Sequence, residues 1–184
     1  MYQQVYNEAG QPLEGVYVDK NGDGKITPDD RYRYKNPTAN LFFGFSPAVS
    51  FKSWNFGLVS RGSIGNYNYN NIASQNGVYR GFASSNAYLT NVAPDVLATN
   101  FNNNQYFSDY YVQNASFFRI DNINVGYNFG KVFHDKANLR LGANLQNAFI
   151  FTKYKGLDPE IAGGIDFNLY PRPRVFAFNL NLDF

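Results

Sequence analysis

The residues with the clearest chemical spacing form the run Asp19-Lys20-Asn21-Gly22-Asp23-Gly24-Lys25-Ile26-Thr27-Pro28-Asp29-Asp30. Asp19, Asn21 and Asp23 stand at the first, third and fifth places of a calcium-loop template. Gly24 is at the sixth, where the chain turns sharply, and Asp30 is at the twelfth. Lys25 offers its main-chain carbonyl at the seventh place, and Thr27 stands at the ninth, which is often filled through water. Hard oxygen donors in this order point to Ca2+ as a structural ion, although Asp30 reaches less far than the Glu the template asks for. The run also reads as a solvated Asn-Gly/Asp-Gly turn with no ion. No flanking helices are evident, so a braced loop is expected and not a paired sensor hand.

Little else in the chain suggests catalysis. His134 is the only histidine and cysteine is absent, so no imidazole or thiolate cluster can form, and no Ser/His/Asp set stands out. The expectation is a non-enzyme. Tyr67, Tyr69, Tyr79, Tyr88, Tyr106, Tyr110 and Tyr111 fall in an Asn- and Ser-rich stretch without sustained period. They could stack on sugar rings or a protein lid, or pack the loop on itself with each phenol tip wet. Asn114-Ala115-Ser116 matches a glycosylation sequon, a pattern common by chance in Asn-rich sequence. The net charge of +2 carries no polyanion signal, which argues against nucleic acid.

The elements that must position these residues are strands. Of the 184 residues 18% are aromatic, with 15 Tyr and 18 Phe, while 16% are charged, a balance that suits strands and turns over helices. Strict alternation closes the chain: Phe176, Phe178, Leu180, Leu182 and Phe184 face one way, Ala177, Asn179, Asn181 and Asp183 the other. The same period puts Leu41, Phe43, Phe45, Val49 and Phe51 on one face, with Pro47 predicting a bulge or weak pairing. It groups Trp54, Phe56, Leu58 and Ile64; then Ile123, Val125, Tyr127 and Phe129; then Leu139, Leu141, Ala143 and Leu145. Arg61 and Arg140 fall on the opposite, Asn- and Gly-rich side. Turns near Ser53 and Phe133 are short, whereas 1–39, 66–115 and 151–171 are long.

Short turns at one end and long loops at the other characterise transmembrane barrels, and a hydrated second face suits a lumen better than a sheet-on-sheet core. The fold expectation is therefore all-β: an antiparallel up-and-down transmembrane β-barrel segment of about five strands, too few to close alone. The chain is expected to be the terminal piece of a larger protein, because its start lacks the basic and apolar regions of an export signal.

Several motifs, in order, resemble the C-terminal end of SusC/RagA-type TonB-linked outer-membrane transporters. They are Gln3 to Gly15, Tyr17 to Gly24, Phe117-Phe118-Arg119-Ile120-Asp121-Asn122-Ile123-Asn124-Val125-Gly126-Tyr127, Asn144-Leu145-Gln146-Asn147, Thr152 to Glu160, and Tyr170-Pro171-Arg172-Pro173-Arg174. The resemblance implies the C-terminal part of a barrel of roughly 22 strands around a plug, in the outer membrane of a Bacteroidetes-type bacterium. Segments 1–39 (with the calcium-like loop 19–30), 66–115 and 151–171 would be extracellular loops, and 174–184 the terminal strand. It also implies outer-membrane lipid around the wall, a SusD-like lipoprotein lid, and energy from the TonB complex through an N-terminal region missing here, for import of an oligosaccharide or a peptide. A secreted, calcium-braced carbohydrate-binding or adhesive β module is the alternative.

Overall fold

The computed structural model describes residues 1–82, 91–167 and 170–184. In chain order the strands are β1 (Gln4–Tyr6), β2 (Pro12–Tyr17), β3 (Leu41–Phe45), β4 (Ala48–Phe51), β5 (Trp54–Ile64), β6 (Tyr67–Tyr69), β7 (Val112–Asn114), β8 (Phe117–Val132), β9 (Ala137–Thr152) and β10 (Val175–Asp183). Among the described residues, helix is confined to α1 (Asn71–Asn76), α2 (Val96–Thr99) and short 3-10 turns. Two compact units emerge. A sheet unit comprises Ala39–Ile64, Ser116–Lys153 and Tyr170–Phe184, and a loop unit comprises Met1–Thr38, Gly65–Ala115 and Tyr154–Leu169.

In the sheet unit the strands are antiparallel in the order β10-β9-β8-β5-β3, with β4 also paired to β5. β3 and β4 are a single course interrupted at Ser46-Pro47, because proline has no N–H for the ladder. The predicted weakness is thus a break, across which the Pro47 carbonyl still accepts from Leu58 N at 3.0 Å. Phe51 pairs with Trp54 around the tight Lys52-Ser53 turn, with Lys52 at φ 54°. Val132 pairs with Ala137 around the second turn, which contains His134.

Cross-strand partners share a face, so the register assigns the sides. Trp54, Tyr127, Leu141 and Leu180 form one row, and Phe56, Val125, Ala143 and Phe178 the next. Phe43, Gly62, Phe118 and Phe151 form another, in which the Phe43 ring occupies the space a Cβ on Gly62 would need and stacks on Phe118 at 6.1 Å. Phe118 and Ile120 are out of phase with Ile123, Val125 and Tyr127. An extra residue in β8, Asp121, opposes no residue of β5 and absorbs the difference. The apolar face therefore stays continuous, and Asp121 is delivered to the other side, where Arg61 Nε donates to Oδ2 at 2.8 Å. A second bulge lies between Asn128 and Gly130 and leaves Phe129 without a partner in β9, while Phe129 stays beside Tyr127. Its ring stands edge-on to Tyr127 at 4.6 Å.

The loop unit contains more local structure than its aperiodic sequence suggests. β1 pairs with β2, and β6 with β7. Its apolar cluster is small, built on Tyr69, Ala73 and Tyr111, and side-chain amides and carboxylates do much of the joining. Gln4 Nε2 donates to Leu13 O at 2.6 Å while its Oε1 accepts from Ser108 Oγ at 2.8 Å. Asn68 Nδ2 donates to Pro159 O at 2.7 Å. Glu14 accepts from Asn102 and Asn103 main-chain N–H groups. The Asn richness of this stretch thus has a physical purpose: irregular backbone leaves donors and acceptors without a ladder, and short amides satisfy them.

Candidate functional site

In the 19–30 loop every candidate side chain is engaged locally. Asp19 accepts from Gly22 N at 2.7 Å and from Gly24 N at 2.8 Å. Asn21 Oδ1 accepts from Asp23 N, and Asp23 Oδ1 accepts from Lys25 N. Asp30 closes the loop, with Oδ1 accepting from Lys20 N at 2.8 Å and from Asn21 N, and Oδ2 from Thr27 N at 2.7 Å. Thr27 answers by accepting from Asp29 N, so Thr27 and Asp30 form a capping box on the Pro28–Asp30 turn. The T-x-x-D signature accounts for these two residues without an ion. The main-chain N–H of Thr27, aided by those of Lys20 and Asn21, holds the Asp30 carboxyl below the usual carboxylate range against the opposing effect of burial.

Among the described residues no three acidic or imidazole side chains form a metal-holding group. The donor set is nonetheless all oxygen, the chemistry a hard cation prefers.

The tyrosines separate into two environments. Tyr69 and Tyr111 are buried, with ring centroids 6.1 Å apart, and Tyr110 meets Tyr111 edge-on at 5.0 Å. Tyr69 OH donates to Ser74 Oγ at 2.7 Å and accepts from Phe107 N at 3.1 Å. These three pack the loop unit on itself, and the full burial of Tyr111 removes it from ligand contact. Tyr79 and Tyr106 are exposed. Tyr67 is half-buried, with Lys35 Nζ 5.1 Å from its ring centroid. Tyr88 lies outside the described residues.

The sheet unit presents two chemically distinct faces. On one, Phe178 is 82% exposed, Phe176 68% and Leu180 64%, and Phe45, Phe51, Phe56, Phe149 and Phe151 are exposed with them. Burying such a side chain stabilises by about 1.5–3 kcal/mol. Leaving the exposed part of the whole row in water would forgo on the order of 10 kcal/mol, comparable with a domain's net stability of about 5–15 kcal/mol. This face requires an apolar medium or partner. The reverse side carries Asn55, Asn122, Asn124, Asn144, Asn179 and Arg140. Asn122 and Asn144 exchange amide hydrogen bonds at 3.2 and 3.3 Å. Gly57 and Gly142 leave room for the amides of Asn124 and Asn179.

A two-faced antiparallel sheet of this kind has close relatives. Over 190 aligned residues the chain is 40% identical to the TonB-dependent receptor SusC of Bacteroides thetaiotaomicron, covering 100% of this chain and 19% of that protein. The chain is SusC/RagA-type TonB-dependent receptor sequence throughout. It is also 30% identical over 188 residues to the TonB-dependent receptor P3 of Formosa agariphila, covering 92% of this chain and 19% of that receptor. Among solved structures, the RagAB peptide transporter superposes on 100% of this SusC-like chain with a TM-score of 0.74 at 21% identity, using 22% of the transporter chain. No family model matches. The chain thus spans about a fifth of the length of the curated relatives it matches.

Asp95 and Asp166 were not marked by any motif. Both line one cavity of the loop unit, a placement that local spacing cannot signal because the residues come from segments far apart in sequence.

Proposed function

We propose that this chain serves TonB-dependent nutrient uptake at the outer membrane of a Bacteroidetes-type bacterium, supplying non-catalytic barrel wall and outer loops for import of an oligosaccharide or a peptide. The observation that carries the reading is the exposed Phe and Leu face backed by an Asn- and Gly-rich face. Acyl chains would wet the first and lumen water the second. Arg61, Arg119 and Arg140 all lie on the hydrated side, where they avoid the roughly 2–4 kcal/mol that a cation facing lipid at the midplane costs. The strands accordingly belong to the C-terminal part of a barrel of roughly 22 strands. A SusD-like lipoprotein would act as lid, and the TonB complex would deliver energy through a part of the receptor outside this chain. The gene product should fractionate with outer membranes and migrate faster in detergent gels before heating than after. Recovery as a soluble monomer without detergent would favour the secreted β module.

Calcium is the proposed brace of the 19–30 loop, supported by the template spacing and the oxygen-only donor set. Asp19, Asn21, Asp23 and Asp30 would supply side-chain oxygens, Lys25 its carbonyl, and Thr27 a water-mediated contact. Calorimetry on the intact receptor should show calcium uptake at millimolar levels or below. A flat titration would leave the capping box and Asx turns as the only braces.

A further inference from the structure

Arg174 stands where the apolar face of the sheet unit ends. β10 has nine residues, close to the roughly 9–11 with which a tilted strand crosses a hydrocarbon core, and Arg174 immediately precedes it. Past the last ladder pair, Val175 with Gln146, Asn147 Nδ2 donates to Pro173 O at 2.9 Å and keeps this segment against β9. The guanidinium carbon of Arg174 lies 5.7 Å from the ring centroid of Phe149, which pairs with Ile120 on the apolar side. The arginine therefore shares the face of Phe176 and Phe178, and it is exposed there. A stem laid on hydrocarbon with its charged head turned outward is the usual posture of a long cation beside an apolar surface. Lys153 follows Phe151 at the same parity, one residue past the end of β9, and is exposed as well.

No carboxylate of the sheet unit answers these two cations. Its acidic residues are Asp121, Asp135 and Asp183. Asp121 is held by Arg61 on the hydrated side. Asp135 sits in the short turn between β8 and β9, and Asp183 pairs with Asn138 beside that same turn, at the opposite end of the sheet. Among the described residues neither Lys153 nor Arg174 forms an ion pair. A cation on a lipid-wetted face is costly at the midplane and nearly free at the interface, so this end of the face lies where acyl chains give way to headgroups. The complement of a positive edge on an apolar face is an anion joined to hydrocarbon. Guanidinium and ammonium groups both take phosphate oxygens, and anionic headgroups attract basic residues at a membrane surface. A zwitterionic headgroup carries its own cation and gains less.

We propose that Arg174 and Lys153 hold the phosphate of an anionic membrane lipid whose acyl chains lie on Phe149, Phe151 and Phe176. The site rests on the barrel-wall reading of this sheet, and the two can fail separately. The intact receptor in neutral detergent is photolabelled with a phosphatidic acid bearing a diazirine next to its headgroup, and the labelled peptides are mapped by mass spectrometry. Label should fall within 149–153 and 170–176. Excess plain phosphatidic acid should displace it, whereas phosphatidylcholine with the same chains should not. Arg174→Gln and Lys153→Gln should each lower this labelling by about fivefold, Arg174→Lys should retain it, and every variant should stay heat-modifiable in gels.

Equal labelling of these peptides by the matching phosphatidylcholine probe, or undiminished labelling of the doubly substituted receptor, overturns the proposal. If that receptor is still heat-modifiable, the barrel-wall reading stands. Displacement by inorganic phosphate at the same concentration overturns the lipid assignment in favour of a free-anion site. Recovery of the receptor as a soluble monomer without detergent removes the wall reading and the lipid with it.

Discussion

Tyr106 and Tyr111 are close in sequence and occupy opposite environments, the first exposed and the second at the centre of the loop-unit cluster. Tyr111→Ala should cost the loop unit about 3–5 kcal/mol, as for other large aromatic truncations, whereas Tyr106→Ala should stay within about 0.5 kcal/mol. Hydrogen exchange over β6 and β7 reports the difference. Burial raises the Tyr69 and Tyr111 phenols and, with Asp95 adding to the effect, pushes Tyr110 up to about 12. The unfolded chain releases these protons near pH ~10. Their contribution is therefore intact below that pH and declines as pH rises from about 10 through 12, which alkaline titration of the same amides should show. Asp30 has the opposite sign: its lowered carboxyl favours the folded loop above the ordinary carboxylate range, and that favour is lost as pH falls through its folded value. Exchange of the 19–30 amides, corrected for intrinsic rate, should be steady near neutrality and rise in acid below about pH 4. Unchanged protection there would remove Asp30 as the clasp. Residue types alone identified the acidic loop and the tyrosines as the groups to watch. They did not distinguish Tyr111 from Tyr106, because burial depends on segments distant in the chain.

The strands were the most legible elements, because a period of two survives wherever one face is apolar and the other hydrated. Phe178 and Asn179 are adjacent in β10 and face opposite ways. Phe178→Arg should cost about 2–4 kcal/mol and lower the amount of heat-modifiable receptor in outer membranes, whereas Asn179→Lys should leave that amount near normal. Equal effects would contradict the assignment of faces. The bulges were less legible. The phase slip between Ile120 and Ile123 is visible in the sequence, but which strand carries the extra residue is set by pairing with β5 and β9. Likewise Pro47 announced an interruption without revealing that β3 and β4 resume on the same partner.

For the molecule as a whole, protease added to intact cells should cut within the loop unit, at sites such as Lys25 and Lys35, and spare β8 and β9. Cleavage confined to permeabilised cells would place the long segments on the other side of the membrane. By itself the sequence determined the all-β class, most of the alternating faces of the sheet-unit strands and the receptor family, since all three depend on local alternation and on motifs contiguous in the chain. Only the tertiary structure decided that Asp121 reaches Arg61, that the Asn-rich stretches replace a missing hydrogen-bond ladder, and that Asp95 and Asp166 share a cavity. Those facts arise from side chains meeting across long loops, and no periodicity along a single segment encodes such meetings.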